Sequence, residues 1–292
     1  MSDNMIKYNL ITLLLIILLF PGQAYGQDGN GNITQGPSKG TLVIVGGGTA
    51  DSVIADFIKI AGGKDVPIVV IPTAEGSNSY NQNSGGASTF RKLGATNVRV
   101  IHTYDRNVAN SDTFNLPLKS ASAVWFGGGR QWRLADSYNG TLTEKMIWDL
   151  LNRGGVVGGS SAGATIQGSF LVRGDTKNNQ IMMGDHQAGM GFLKNAAIDQ
   201  HVLARNRQFD MFEVMKAHPE LLGISIDEGT AIVVKEGEFE VIGRSYVIVY
   251  DGTFWSREGS ELKKLPDSNM LFYFLRKGDK YDLVRRKVIT SR

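Results

Sequence analysis

The chain has 292 residues, a formal net charge of +3 and no cysteine. Absence of cysteine excludes disulfides, thiolate chemistry and lipid-modified cysteine. So small and dispersed a positive charge does not imply nucleic acid, and no such partner is expected. The length suits one large α/β domain, or one domain with a small appendage.

Residues 1–9 are polar and carry Lys7, and an apolar run follows from Leu10 to Phe20. Pro21-Gly22 breaks that run, and Ala24-Tyr25-Gly26 supplies a small-x-small cleavage site. This anatomy predicts a signal peptide over residues 1–26 and export to the periplasm or beyond the cell. The run falls short of the roughly 20 residues a membrane span needs. No stable span is therefore expected after processing, and an uncleaved N-terminal anchor is the alternative. Residues 27–40, rich in Gly, Asn, Gln, Asp and Ser, predict a flexible lead-in. Residues 41–292 are then a single α/β domain with a C-terminal β extension.

Thr41–Val45 is a buried run that ends in Gly46-Gly47-Gly48. Val53, Ile54, Phe57 and Ile58 carry helical spacing over 51–60. Val66–Ile71, Asn97–Ile101 and Ala121–Phe126 are further strand-like runs, the last ended by Gly127-Gly128-Gly129. Leu142, Met146, Ile147 and Leu150 define a helix over 141–152, and Val156-Val157 leads into a turn. Apolar runs alternating with helices predict a mainly parallel sheet sandwiched by helices. Its ligand crevice should lie at the carboxyl ends of the strands, where three Gly-rich turns converge. Beyond residue 220 the runs are short and closely spaced, with Glu236-Gly237 as a hairpin turn. They predict an antiparallel extension of the sheet.

Residues 155–164 read Gly-Val-Val-Gly-Gly-Ser-Ser-Ala-Gly-Ala. A strand, a sharp glycine turn and a helix start in this order lift one serine above the sheet. The next backbone N–H faces the same space and provides one oxyanion donor. Ser161 is the better candidate nucleophile, and Ser160 is the neighbour to be distinguished from it. A turn that binds phosphate or merely turns is the bland alternative. The Gly46-Gly47-Gly48-Thr49-Ala50-Asp51 stretch fails the dinucleotide pattern, because Asp51 stands at the last glycine position. A serine nucleophile needs a base, and the chain offers His102, His186, His201 and His218. His218 in Lys-Ala-His-Pro-Glu suits the surface. His102 closes a strand run and could face the crevice. No two histidines have metal-ligand spacing, so no metal and no cofactor are expected.

Five segments carry a resemblance: Phe126-Gly127-Gly128-Gly129-Arg130-Gln131, Gly159–Ala164, Gly189-Met190-Gly191-Phe192-Leu193, Ile198-Asp199-Gln200-His201 and Gly223–Ala231. In this order they resemble the cyanophycinase branch of the cyanophycinase/peptidase E serine peptidases. The resemblance implies a class I glutamine-amidotransferase-like fold with Ser161 as nucleophile and His201 as base. It places an acid between these two in sequence, best matched by Asp175, with Asp185 and Asp199 as alternatives. Gln131, Asp199 and Gln200 match substrate-pocket residues. Arg205 and Arg207 resemble the family's arginines, which suit an aspartyl carboxylate through bidentate contacts. Arg130 departs from the family, whose members often carry Asp there. The N–H groups of Ala162 and of Gly128 or Gly129 would receive the oxyanion. The expected partner is a peptide or a cyanophycin-like β-Asp-Arg polymer, with a homodimer left open. A non-catalytic binding protein on the same fold and a serine amidase are the rival readings.

Overall fold

The computed structural model describes residues 33–255, 262–263 and 271–289. The expected signal peptide lies outside the described residues. Among the described residues no helix is long and apolar enough to cross a membrane.

The elements run β1 (Thr41–Val45), α1 (Asp51–Ile60), β2 (Ile68–Ile71), α2 (Ala87–Lys92), β3 (Val98–Val100), α3 (Arg106–Ala109), α4 (Asp112–Ser120), β4 (Ala123–Phe126), α5 (Gln131–Tyr138) and α6 (Leu142–Asn152). There follow β5 (Val156–Ser160), α7 (Ala162–Thr165), β6 (Gly168–Phe170), β7 (Leu193–Gln200), α8 (Met211–Ala217), β8 (Leu222–Ile226), β9 (Thr230–Lys235), β10 (Glu238–Gly243) and β11 (Tyr246–Tyr250). The chain closes with β12 (Phe254–Trp255), β13 (Leu262–Lys263), β14 (Tyr273–Arg276), β15 (Lys280–Asp282) and β16 (Lys287–Ile289).

A nine-stranded sheet has the order β16-β15-β10-β9-β1-β5-β4-β2-β3. Strands β1, β5, β4, β2 and β3 are parallel, as the alternation of runs and helices predicts. Side chains alternate across this sheet. Val43, Val45, Val70 and Trp125 face α1 and α2 in one core, where Phe57 and Phe90 pack on Trp125. Leu42, Ile44, Val69 and Phe126 face α5 and α6 in the other.

The C-terminal strands do more than extend this sheet. Strands β9, β10, β15 and β16 continue it antiparallel. Strands β14-β11-β8-β7-β6 form a second, five-stranded sheet. Within it β6, β7 and β8 are parallel while β8, β11 and β14 are antiparallel, so the runs at 223–226 and 246–250 lie in a sheet of their own and do not extend the first. Its apolar residues share the larger core with the first sheet, through Ile198, Ile224 and Ile226. The lead-in is not free over its described part. Gln35 bridges to Lys194, Thr34 is buried, and Gly36 packs against Val234 with no room for a Cβ.

Candidate active site

Strand β5 ends at Ser160 in the middle of the first sheet, and the chain turns at once into α7. Ser161 at the turn has φ +57° and ψ −111°, a conformation that costs a non-glycine residue about 1–3 kcal/mol. The surroundings enforce it. A Cβ on Gly159 would meet the carbonyl oxygen of Gly163 at 2.3 Å, and one on Gly163 would meet that of Phe126 at 2.3 Å. Only glycines let α7 settle this close to β4 and β5. Ser161 N–H donates to the Val45 carbonyl at 3.0 Å, which pins the turn to β1. The two serines diverge. Ser160 Oγ accepts from Thr49 Oγ1 at 2.6 Å, while Ser161 Oγ lies 2.9 Å from His201 Nε2.

His201 follows β7 and is brought to Ser161 by the second sheet. Its own φ is +55°, and its N–H donates to the Gly46 carbonyl at 2.8 Å. The imidazole Nδ1 lies 2.6 Å from Glu228 Oε1. Ser161, His201 and Glu228 thus form a hydrogen-bonded line with the histidine in the middle. The register of the second sheet explains it: Gln200 pairs with Ile226, so the residues just past those two strand ends sit side by side. The triglycine after β1 is the floor of this line. A Cβ on Gly47 would come within 2.1 Å of the His201 ring, and one on Gly48 within 2.7 Å of Glu228 Oε2. Those glycines therefore make room for the histidine and glutamate instead of only closing a turn.

Burial pushes the His201 pKa below its ordinary value, and the Arg205 and Arg207 charges add to that; Glu228 pulls it back up but does not win. The ring is neutral near pH 7, as a proton acceptor must be. Toward Ser161 the backbone of Gly128 comes close, since a Cβ there would lie 3.5 Å from the Ser161 Cβ. No described residue accepts a hydrogen bond from the N–H of Ala162, Gly128 or Gly129. Two donors next to a strained serine can receive developing negative charge on a carbonyl oxygen.

The acid expected between Ser161 and His201 is elsewhere. Asp175 Oδ1 accepts the N–H groups of Lys177 and Asn178, so its carboxylate caps its own loop. Asp185 pairs with Thr176 and His186. Asp199 is fully buried in a bidentate pair with Arg173, at 2.8 and 2.9 Å. Asp199 Oδ1 also accepts the Gln200 N–H at 2.9 Å, so this carboxylate is engaged within the fold. Gln131 is buried, with its amide donating to the Val172 carbonyl. Gln200 Oε1 accepts from the buried Arg207 at 3.2 Å. Arg205 is exposed beside the His201 ring. Arg130 donates to the Asp175 carbonyl and so braces that loop. Of the other histidines, His102 bonds Thr73, His186 sits between Asp136 and Asp185, and His218 lies by Glu220.

A larger cavity of about 480 Å³ lies near Pro67, Asn97 and Leu116. That is the amino end of β2 and β3, opposite the serine. A smaller pocket of about 200 Å³ reaches Ser160 and Gly128.

The model of peptidase family S51 matches residues 42–242. The cyanophycinase of Geminocystis herdmanii is 30% identical over 254 residues, covering 82% of this chain and 93% of that protein. That of Trichormus variabilis is 29% identical over 272 residues, covering 86% and 88%. A crystal structure of a peptidase from an acI-B1 Actinobacterium superposes with a TM-score of 0.62 at 23% identity, over 85% of this chain and 98% of that one. A putative peptidase E from Listeria monocytogenes gives 0.51 at 16%, over 70% and 99%. The expected class I glutamine-amidotransferase-like fold stands with these neighbours. With the family model spanning both strand ends that carry Ser161 and His201, the chain belongs to peptidase family S51, and is a serine-type peptidase.

Proposed function

We propose that this chain is an exported serine exopeptidase that cleaves aspartyl peptide bonds, in cyanophycin-like β-Asp-Arg polymer or in short Asp-containing peptides. The observation that carries the catalytic reading is the line Ser161 Oγ–His201 Nε2, 2.9 Å, and His201 Nδ1–Glu228 Oε1, 2.6 Å. Ser161 attacks the amide carbonyl while His201 takes its proton. The tetrahedral oxyanion is received by the N–H groups of Ala162 and Gly128. His201 then gives the proton to the leaving amine, and the acyl-enzyme forms. Water deprotonated by the same imidazole releases the acid. Glu228 holds His201 in the tautomer that presents a bare Nε2 to Ser161 and stabilises the imidazolium. The aspartyl carboxylate is met by Arg205, whose exposed guanidinium stands at the histidine side of the site.

Purified protein offered cyanophycin, β-Asp-Arg and α-Asp dipeptides should turn over at least one of them, and Ser161→Ala should abolish this. Failure on all of them overturns the substrate reading. Labelling of Ser161 by a serine-directed phosphonate checks the nucleophile separately, and absence of label favours a binding protein on the same fold. Release of ammonia in place of an amino acid would mark an amidase. Export rests on the sequence of residues 1–26. The mature protein recovered outside the cytoplasm should begin at Gln27, and an intact N-terminus would identify a retained anchor.

A further inference from the structure

The pocket beside the serine holds a carboxylate that the triad does not use. It opens at the carboxyl ends of β1, β2, β4 and β5 and is walled by Phe90, Trp125 and the Gly127-Gly128 backbone, with Glu75 at its edge. The Glu75 side chain faces Gly127, because a Cβ there would lie 3.5 Å from Glu75 Oε1. Among the described residues the Glu75 carboxylate has no hydrogen-bond donor and no ion-pair partner. Partial burial raises its pKa. Nearby Arg133 donates its Nη1 to the Ala74 carbonyl at 3.0 Å and makes no ion pair with Glu75 among the described residues. The backbone that carries the carboxylate is fixed in place. Glu75 closes a short 3₁₀ turn over Thr73–Glu75, and its backbone N–H is held by the Pro72 carbonyl. Gly129 packs on this same turn, where a Cβ would meet the Ala74 carbonyl oxygen at 2.1 Å. The turn and the loop that bears Gly128 are thus one packed unit.

We infer that this pocket is a specificity subsite in which Glu75 receives the cationic end of a substrate side chain, a guanidinium or an ammonium, on a residue next to the scissile bond. The inference rests on the catalytic reading above, because Gly128 belongs to both the pocket and the oxyanion site. Aromatic walls cover the methylene stem of a long cationic side chain while its head reaches a carboxylate at the rim. A volume of about 200 Å³ fits one such side chain. An apolar side chain would leave the carboxylate unpaired and partly desolvated, so the same feature selects against it.

The test is binding to Ser161→Ala protein, which cannot consume the ligand. The probes are a short β-aspartyl-arginine oligomer and the same oligomer with citrulline, the neutral isostere, in place of arginine. Titration calorimetry should give an affinity about tenfold or more in favour of arginine, as one charge-assisted hydrogen bond provides. In Ser161→Ala/Glu75→Gln protein this ratio should fall toward one, and in Ser161→Ala/Glu75→Lys it should invert. A ratio that survives both substitutions, or no preference for arginine in the parent, overturns the assignment. With wild-type protein the ratio of kcat/KM for the two oligomers should follow the same order. Absence of turnover of either oligomer with the binding ratio intact would overturn the proposed substrate reading and leave the Glu75 subsite standing, so the two failures are distinguishable.

Discussion

His201 is held between two opposing influences, and its titration reports which residues act on it. Burial lowers its pKa, Arg205 and Arg207 lower it further, and Glu228 raises it. The base is lost on protonation, so kcat/KM should hold below pH 6.5 and decline at lower pH. A carboxylate partner alone would move this limb upward; burial is what reverses the sign. Arg205→Ala removes a lowering charge, so the acid limb should shift to higher pH whatever happens to KM. Glu228→Gln removes the raising partner, so the limb should shift to lower pH, and kcat should fall by about 10⁴-fold through loss of the tautomer. Asp175→Asn should leave the pH profile in place, since that carboxylate bonds only its own loop. Equal losses in Glu228→Gln and Asp175→Asn would reject Glu228 as the orienting acid. In the sequence Ser161 stands out by its strand–turn–helix layout, whereas His201 is singled out among four histidines by the family resemblance alone. Glu228 does not stand out, although it lies in the Gly223–Ala231 segment that carries the resemblance. Its position depends on a strand pairing, Gln200 with Ile226, that no local pattern contains.

At the scale of the element, the site is made by three glycine turns that bring backbones closer than side chains allow. The Gly-rich ends of β1, β4 and β5 were readable as converging on one crevice, and they do. Their separate tasks were not readable, because each depends on what packs against the missing Cβ. Gly47→Ala tests the floor of the histidine. It places a Cβ 2.1 Å from the ring at φ +122°, so activity should be lost as completely as in His201→Ala. Gly163→Ala tests the elbow itself. Its Cβ meets a backbone oxygen of β4 at 2.3 Å, and backbone cannot rotate away as a side chain can. Overpacking of this kind costs about 1–3 kcal/mol, or roughly 2–12 °C in Tm for a domain of this size. Calorimetry and activity should both show the loss. A Gly163→Ala protein with wild-type Tm and turnover would mean that α7 has slack against β4.

At the scale of the whole molecule, two sheets must be locked together for His201 and Ser161 to meet, since each is carried by a different one. Parallel strands and helices of the first sheet were legible from run lengths and glycine ends. The second sheet was not, because its strands come from distant parts of the chain, with β6 and β7 separated by a long connection. The polar feature that fixes this connection is not legible in the sequence for the same reason: Asp199, next to the histidine, matches a pocket residue by the resemblance, and nothing local points to its ion pair. Its partner Arg173 lies 26 residues away in sequence, with both side chains fully buried. Arg173 also donates to Asp210 at 2.6 Å, at the start of α8, and to the Asn179 carbonyl at 3.0 Å. One guanidinium therefore ties the loop after β6, strand β7 and the entry to α8. Arg173→Met takes the ion-pair partner from buried Asp199 and leaves it the more distant Arg207 charge, which should destabilise the protein by about 3 kcal/mol. Arg173→Met/Asp199→Leu removes both charges and should recover most of that loss, because an apolar pair in a buried site avoids the desolvation cost. Asp210, partly exposed, can turn to water in either variant. Urea unfolding of the four proteins gives the coupling directly. If the double variant is as unstable as the single one, Arg173 acts through the Asn179 and Asp210 contacts, and the buried pair is not what holds His201 above Ser161.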